Sequence, residues 1–362
     1  MKKEYIIPIF VPHLGCPNKC TFCNQKKISG QMKNVTAQDV KNTIEYYLKN
    51  FKDNNKYVEV AFFGGSFTGI DEEIQNELLQ AANIYIEQGK VNSIRISTRP
   101  DYINKEILKR LKKYHVKTIE LGVQSTNDYI LAKSQRGHTF EDVKKASKLI
   151  RRYGFTLGHQ MMIGLPESTK LDEINAAKDL IKLKPKIVRI YPVLVIKDTT
   201  LAEEYEKGEY IPLTVEQAVE RSKEVVTLFN NANVNVIRIG LQNTEEINDP
   251  SSNQSQVVAG PYHPAFRELV EGEMIKDYLH YLVIQNKTVS SIEIKTNNKN
   301  ISKVVGNKKS NKLFFKNELN INMKIKPENL EENEFIIILD DNKEINIKSE
   351  EMYKELYNIY NL

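Results

Sequence analysis

Seven short apolar runs alternate with amphipathic segments over the first two thirds of this 362-residue chain, and that alternation limits the folds open to it. The runs lie at 6–11, 58–63, 93–97, 118–123, 157–163, 187–194 and 234–239. Each is the length of one strand and rich in Val and Ile, the pattern of strands buried on both faces. The segments between them carry helix starts. Thr36 with Asp39 and Thr139 with Asp142 have N-cap spacing, an acidic residue standing where a capping box places glutamate, and Thr214 opens a third helix over 215–230. Strand and helix in turn predict an α/β fold with a parallel sheet, open or closed into a barrel, and helices outside it.

The polar motifs fall at the ends of the predicted strands. A cysteine-bearing loop follows the first, Gly64-Gly65-Ser66 the second and Thr98-Arg99-Pro100 the third. Gln124-Ser125 follows the fourth and Gly164-Leu165-Pro166 the fifth. In barrels of this kind the carboxyl ends of the strands carry the function, so five motifs are expected to face one mouth.

Beyond about residue 285 the character changes. Residues 287–326 hold ten lysines against two glutamates, and 327–362 hold three lysines against ten acidic residues. Short strands are expected at 292–294, 313–315 and 335–339, with Ser349 capping a last helix over 350–360 and disorder around 297–311. The chain therefore divides into a core over 1–285 and a small, lysine-rich, β-containing appendage over 286–362. A net charge of +5 is too small to argue for nucleic acid by itself. The sequence has no apolar run of membrane-spanning length and no signal-peptide cleavage pattern at its start, so no membrane association and a cytoplasmic location are expected.

All three cysteines of the chain lie within eight positions, at Cys16, Cys20 and Cys23. An odd number excludes a fully paired disulfide framework, and the absence of paired cysteines suits a reducing compartment. Three thiolates suit an iron–sulfur cluster with one iron left open, since most such clusters are closed by four cysteines. A tetrahedral zinc site with His13 as fourth ligand is the alternative.

C-x3-C-x2-C with an aromatic residue, Phe22, before the last cysteine, in a loop after the first strand and with a Gly-Gly after the second, resembles the radical S-adenosylmethionine (SAM) superfamily. Leu-Gly-Val-Gln-Ser at 121–125, Gln-Arg-Gly-His-Thr at 135–139 and Met-Ile-Gly-Leu-Pro at 162–166 resemble its branch of oxygen-independent coproporphyrinogen oxidase and the Elongator catalytic subunit. Ser-Thr-Arg-Pro-Asp at 97–101, the 189–196 run and Val-Ile-Arg-Ile-Gly-Leu-Gln at 236–242 resemble the Elongator subunit more closely.

The resemblance implies a partial (β/α)6 parallel barrel. It implies a [4Fe-4S] cluster on Cys16, Cys20 and Cys23, with SAM chelating the fourth iron and cleaved to a 5′-deoxyadenosyl radical. It also implies a reductant protein such as flavodoxin or ferredoxin. Gly64 and Gly65 would meet the SAM amino group through their carbonyls, where a Cβ would block the approach. Gln124 would contact the ribose and Arg136 the methionine carboxylate, for which a forked cation is suited. Ser97 stands where the coproporphyrinogen enzyme has glutamate, so a contact there is weaker. Gln160 replaces an aspartate or histidine and keeps only hydrogen bonding. His138 reads as a helix-start residue, and His159, next to Gln160, as a core or outer-face residue.

The substrate is open at this level. Resemblance to the Elongator subunit implies tRNA or another RNA, with Lys299, Lys303, Lys308, Lys309, Lys312 and Lys316 near Phe314 and Phe315 supplying phosphate contacts and stacking. That subunit carries an acetyltransferase domain after its radical domain, and the residues after 285 are too few for one, so the wobble-uridine reaction does not transfer directly. A small-molecule radical enzyme acting on a tetrapyrrole, or a non-catalytic protein binding a cluster or tetrapyrrole, are the alternatives.

Overall fold

The computed structural model describes residues 3–11, 20–24, 34–53, 55–244, 246–286, 288–340 and 342–362. Seven strands, β1 (Lys3–Val11), β2 (Lys56–Gly64), β3 (Ser93–Thr98), β4 (Val116–Gln124), β5 (Thr156–Ile163), β6 (Ile187–Pro192) and β8 (Asn235–Ile239), pair in parallel in that order, a curled half-barrel. Strand order across this sheet follows chain order, so each connection returns to the next position along it. The central strands are buried on both faces, which explains their nearly continuous apolar runs.

Helices cover the outside. Thr36 and Thr139 accept the predicted backbone bonds from Asp39 and Asp142, whose carboxylates return them, and Thr169 with Asp172 forms a third such box. Thr214 does the same with Gln217 at the head of the Val215–Asn231 helix. The apolar core runs without a break from Ile7 in β1 to Leu356 in the last helix.

The run predicted as one strand over 187–194 is interrupted. After Pro192 the chain leaves the sheet, and β7 (Val195–Ile196) forms an antiparallel ribbon with β9 (Val257–Ala259).

The C-terminal part is a four-stranded sheet in the order β11 (Asn322–Pro327), β10 (Ser291–Thr296), β12 (Glu334–Leu339), β13 (Lys343–Lys348). Three expectations fail here. The strand expected at 313–315 is helix, Ser310–Glu318, because Asn311 and Phe315 stand one turn apart and both are buried. The stretch expected to be disordered, 297–311, is two helical turns and a helix, Ile301–Val305. Its asparagines are structural: Asn297 bonds the Lys299 amide and the Leu330 carbonyl, Asn300 the Glu332 carbonyl, and Asn311 the Gly272 carbonyl. Ser349 is the first residue of the last helix, Ser349–Ile359. The cap position is Lys348, whose amide donates to Glu351 at 2.9 Å. That helix is locked to the core by Asp277, which accepts from Tyr360 at 2.6 Å and from Lys223 at 2.7 Å. No helix among the described residues is long and apolar enough to cross a membrane.

Candidate functional site

The carboxyl ends of β2 to β6 open into a cavity of about 210 Å³. Cys20, Phe22, Cys23, Gly64, Gly65, Ser97, Gln124, Arg136 and Gln160 all line it. Cys16, and His13 of the zinc alternative, lie outside the described residues. Nine expected positions, drawn from six separate segments, thus converge on one space.

The cysteine segment is pinned from both sides. The Thr21 amide donates to the Ser134 carbonyl (3.2 Å), and the Leu201 amide donates to the Thr21 carbonyl (2.8 Å). A turn closes between the cysteines, the Cys23 amide donating to the Cys20 carbonyl at 3.0 Å. Cys20 is buried and Cys23 half-buried. Soft sulfur donors held on one turn at the edge of a cavity fit an iron–sulfur group.

Arg136 sits on a tight loop, between Gln135 and Gly137 in left-handed conformation. Its guanidinium donates to Cys20 Sγ (3.2 Å) and to the Gly122 carbonyl (2.6 Å). Arg99, itself clamped by Asp101, holds the loop by donating to the Arg136 carbonyl at 2.5 Å. Gln124, also left-handed, accepts from Gln160 Nε2 at 3.1 Å, so the two glutamines form one unit on the cavity wall. A Cβ on Gly122 would lie 3.0 Å from Gln124 Nε2 and 3.4 Å from the Arg136 guanidinium. Gly64 has a structural reason of its own: at φ +109° a Cβ would stand 2.6 Å from the Val11 carbonyl oxygen. Ser66, Thr68 and Thr98 tie the loops after β2 and β3 together through their hydroxyls. His138 is buried just before the Thr139 cap and lines no part of the cavity. His159 faces the outer helix layer, bonded to Ser147 at 2.9 Å, with Gln160 on the cavity side.

The sequence reading missed a line of buried charges beneath this wall. Glu59, Arg95, Glu120 and Arg189, on β2, β3, β4 and β6, pair in succession. Arg95 bonds Glu59 and Glu120 at 2.6 Å each, and Arg189 bonds both Glu120 oxygens. The intervening β5 contributes Gly158, where a Cβ would stand 2.9 Å from Glu120 Cγ, so glycine lets the glutamate reach across. Burial alone would raise the Glu120 acid, but the charges and hydrogen bonds of Arg189 and Arg95 outweigh it and hold it below its ordinary value. Arg189 also lies over the Phe63 ring, 5.0 Å from its centre, and bonds Tyr191, which lines the cavity. The available signal was a charged residue inside each apolar strand, since such residues are rarely buried unpaired. The Gly164 turn is structural: its amide donates to Glu173 at 2.7 Å and its carbonyl accepts from Tyr210 at 2.7 Å.

Phe314 and Phe315 do not form the expected stacking pair at the surface. Phe315 is fully buried, and Phe314 is half-buried beneath Lys276 and edge-on to His280. Lys299 and Lys303 pair with Glu332 and Glu271.

Among proteins of known name, this chain is 32% identical to a tRNA uridine(34) acetyltransferase of Methanocaldococcus jannaschii over 45% of its own length, which is 34% of that protein. The chain thus spans about a third of that relative. It is also 32% identical to an uncharacterised protein of the same organism over 60% of this chain and 70% of the other. The archaeal Elp3 of Methanocaldococcus infernus, solved with an N-terminal deletion, shares the fold. It matches at a TM-score of 0.58 and 24% identity over 76% of this chain and 63% of that one. The radical SAM superfamily matches residues 10–181, and the radical SAM C-terminal domain follows over residues 185–276. Strand-end site, half-barrel and family match agree: this chain belongs to the radical SAM superfamily of enzymes.

Proposed function

We propose that this chain binds a [4Fe-4S] cluster through Cys16, Cys20 and Cys23 and cleaves SAM in order to modify RNA, tRNA in the first instance. The observation that carries the reading is the convergence of Cys20, Cys23, Arg136 and the Gln124–Gln160 pair on one cavity. A cluster held there, and reduced by a flavodoxin- or ferredoxin-like partner, would supply the electron for SAM cleavage.

The chain's own residues do the rest. Arg136 places a donor on Cys20 Sγ, and hydrogen bonds to ligating sulfur are one of the levers on cluster potential. The same guanidinium has the forked geometry suited to a carboxylate such as that of SAM. Gln124 and Gln160 offer an amide pair to the ribose and adenine edges, Ser97 a hydroxyl, and Gly64 and Gly65 open backbone. Phe22, Met162, Leu194, Ile196 and Leu241 give the cavity apolar walls, which exclude water from a reactive intermediate.

The RNA assignment draws on the tRNA-directed relatives and on exposed lysines after residue 300. It is tested by comparing the tRNA nucleosides, and separately the metabolites, of cells with and without this gene. Loss of one modified nucleoside is the expected result. Unchanged nucleosides beside an accumulating small molecule would overturn the RNA reading in favour of a small-molecule substrate.

A further inference from the structure

Within the C-terminal part, strand β10, the Ile301–Val305 helix, the four-residue turn 306–309, the Ser310–Glu318 helix and strand β11 follow one another, with β11 parallel to and beside β10. We propose that this unit is a single-stranded RNA-binding module that grips the sugar–phosphate backbone at its turn. The inference rests on the RNA-substrate reading above and assigns where that substrate is held.

The first observation is charge. Lys308, Lys309, Lys312 and Lys316 are exposed and, among the described residues, make no ion pair. Their neighbours differ: Lys276, Lys299, Lys303 and Lys326 each pair with a glutamate. Four unpaired cations thus stand together at the turn and along one face of the helix after it, 312 and 316 being one turn apart. A polyanion is the partner that such a patch complements.

The second observation is the frame. Helix, glycine-initiated four-residue turn and helix between two strands is the arrangement of the KH class of RNA modules, whose Gly-x-x-Gly turn clamps four backbone nucleotides. Here the turn reads Gly306-Asn307-Lys308-Lys309. Gly306 has φ +79°, and a Cβ there would lie 2.7 Å from the Asn311 amide nitrogen. Lys309 occupies the place of the second glycine and keeps a glycine-like φ of +66°, with Lys308 at +50°. Side chains seldom adopt that region, so two lysines there hold their cations on a backbone that glycine would adopt more readily.

The third observation is rigidity and position. Buried Asn311 donates to the Gly272 and Lys303 carbonyls (2.9 and 3.2 Å), fastening the turn to the Phe266–Gln285 helix of the core. The turn ends a groove that also holds His263, and His263 borders a cleft walled by Leu194 and Leu241 of the cofactor cavity. The turn thus stands at the end of a groove that shares His263 with a cleft bordering the cavity. Glu216, Glu220, Glu268 and Glu273 line the groove itself, so phosphates are accepted at the turn and turned away from the groove.

The test is fluorescence anisotropy of the full chain with a fluorescein-labelled, unstructured RNA dodecamer across a salt series, with bulk tRNA as competitor. Lys308→Asp with Lys309→Asp is expected to weaken binding at least ~10-fold and to reduce the log–log salt slope by roughly 1.4, two single-strand contacts. Aspartate tolerates the left-handed region, so the fold is retained, checked by an unchanged thermal transition. Lys308→Arg with Lys309→Arg is expected to bind like the parent. Should the aspartate pair unfold the unit, Lys312→Asp with Lys316→Asp on the exposed helix face gives the same reading. Parent-like binding by folded aspartate variants overturns the assignment of the turn while leaving RNA as substrate. A parent chain that binds neither the dodecamer nor tRNA overturns both.

Discussion

Replacing Glu120 by glutamine probes how far the site depends on a charge buried in the cavity wall. Glu120 is only 3% exposed and is the shared carboxylate of Arg95 and Arg189. Glu59, Arg95, Glu120 and Arg189 sum to zero charge, and the glutamine variant leaves two guanidinium groups facing one carboxylate. Arg189 then competes with Arg95 for one amide oxygen and keeps the Tyr191 hydroxyl at 3.4 Å and the Phe63 ring. Removing one partner of a buried pair costs about 3–5 kcal/mol, because the other charge stays buried without compensation. At about 2–4 °C per kcal/mol for a chain this large, the thermal midpoint should fall by roughly 6–20 °C. Arg189→Met should cost a similar amount. The double variant should cost far less than the sum, a coupling of at least about 2 kcal/mol in a double-mutant cycle. Urea denaturation of the four proteins measures it. A Glu120→Gln loss below about 1 kcal/mol, or additive single effects, would refute the claim that these residues form one electrostatic unit.

Three further outcomes follow from the same geometry. Gly64→Ala puts a Cβ against the Val11 carbonyl at a positive φ and should destabilise by at least about 2 kcal/mol, whereas a variant as stable as the parent contradicts the required glycine. Burial lowers the His159 imidazole from 6.5 to about 3, so folding favours its neutral form. Its stability contribution is full above about pH 6.5 and is lost as pH falls towards 3, at up to about 1.4 kcal/mol per unit. His159→Gln should therefore lose less thermal stability between pH 8 and pH 5 than the parent, and an equal loss would show that His159 does not set the acid limb. Arg136→Lys cannot reach Cys20 Sγ and the Gly122 carbonyl at once. It should retain cluster iron yet raise the KM for SAM more than ~10-fold, and an unchanged KM would exclude Arg136 from the SAM site.

The parallel architecture was legible because its strands are short and apolar and most are followed by a helix with a side-chain cap. Thr36, Thr139 and Thr214 carry their caps in the side chain, so the helix starts are local facts. The site positions were legible through motif and strand end together: Gln124 and Arg136 are twelve residues apart, and both reach Gly122. The charge line under the wall was not legible. Whether Glu120 faces Arg95 and Arg189 depends on register across four strands, and on Gly158 leaving room between them. The C-terminal part misled for another reason. A run of Asn, Lys and Ser has the composition of disorder, yet Asn297, Asn300 and Asn311 each satisfy backbone groups distant in sequence. Leu313, Phe314 and Phe315 resemble a strand until one sees that only Phe315 is inside, the spacing of a helix.

The central claim is that the cavity beside Cys20 and Cys23 serves SAM cleavage. Anaerobically reconstituted protein, reduced with dithionite and given SAM, should release 5′-deoxyadenosine and methionine, while Cys20→Ala should lose both the brown cluster colour and the product. Fully iron-loaded parent protein that releases no 5′-deoxyadenosine, or a Cys20→Ala variant that keeps colour and turnover, would contradict it.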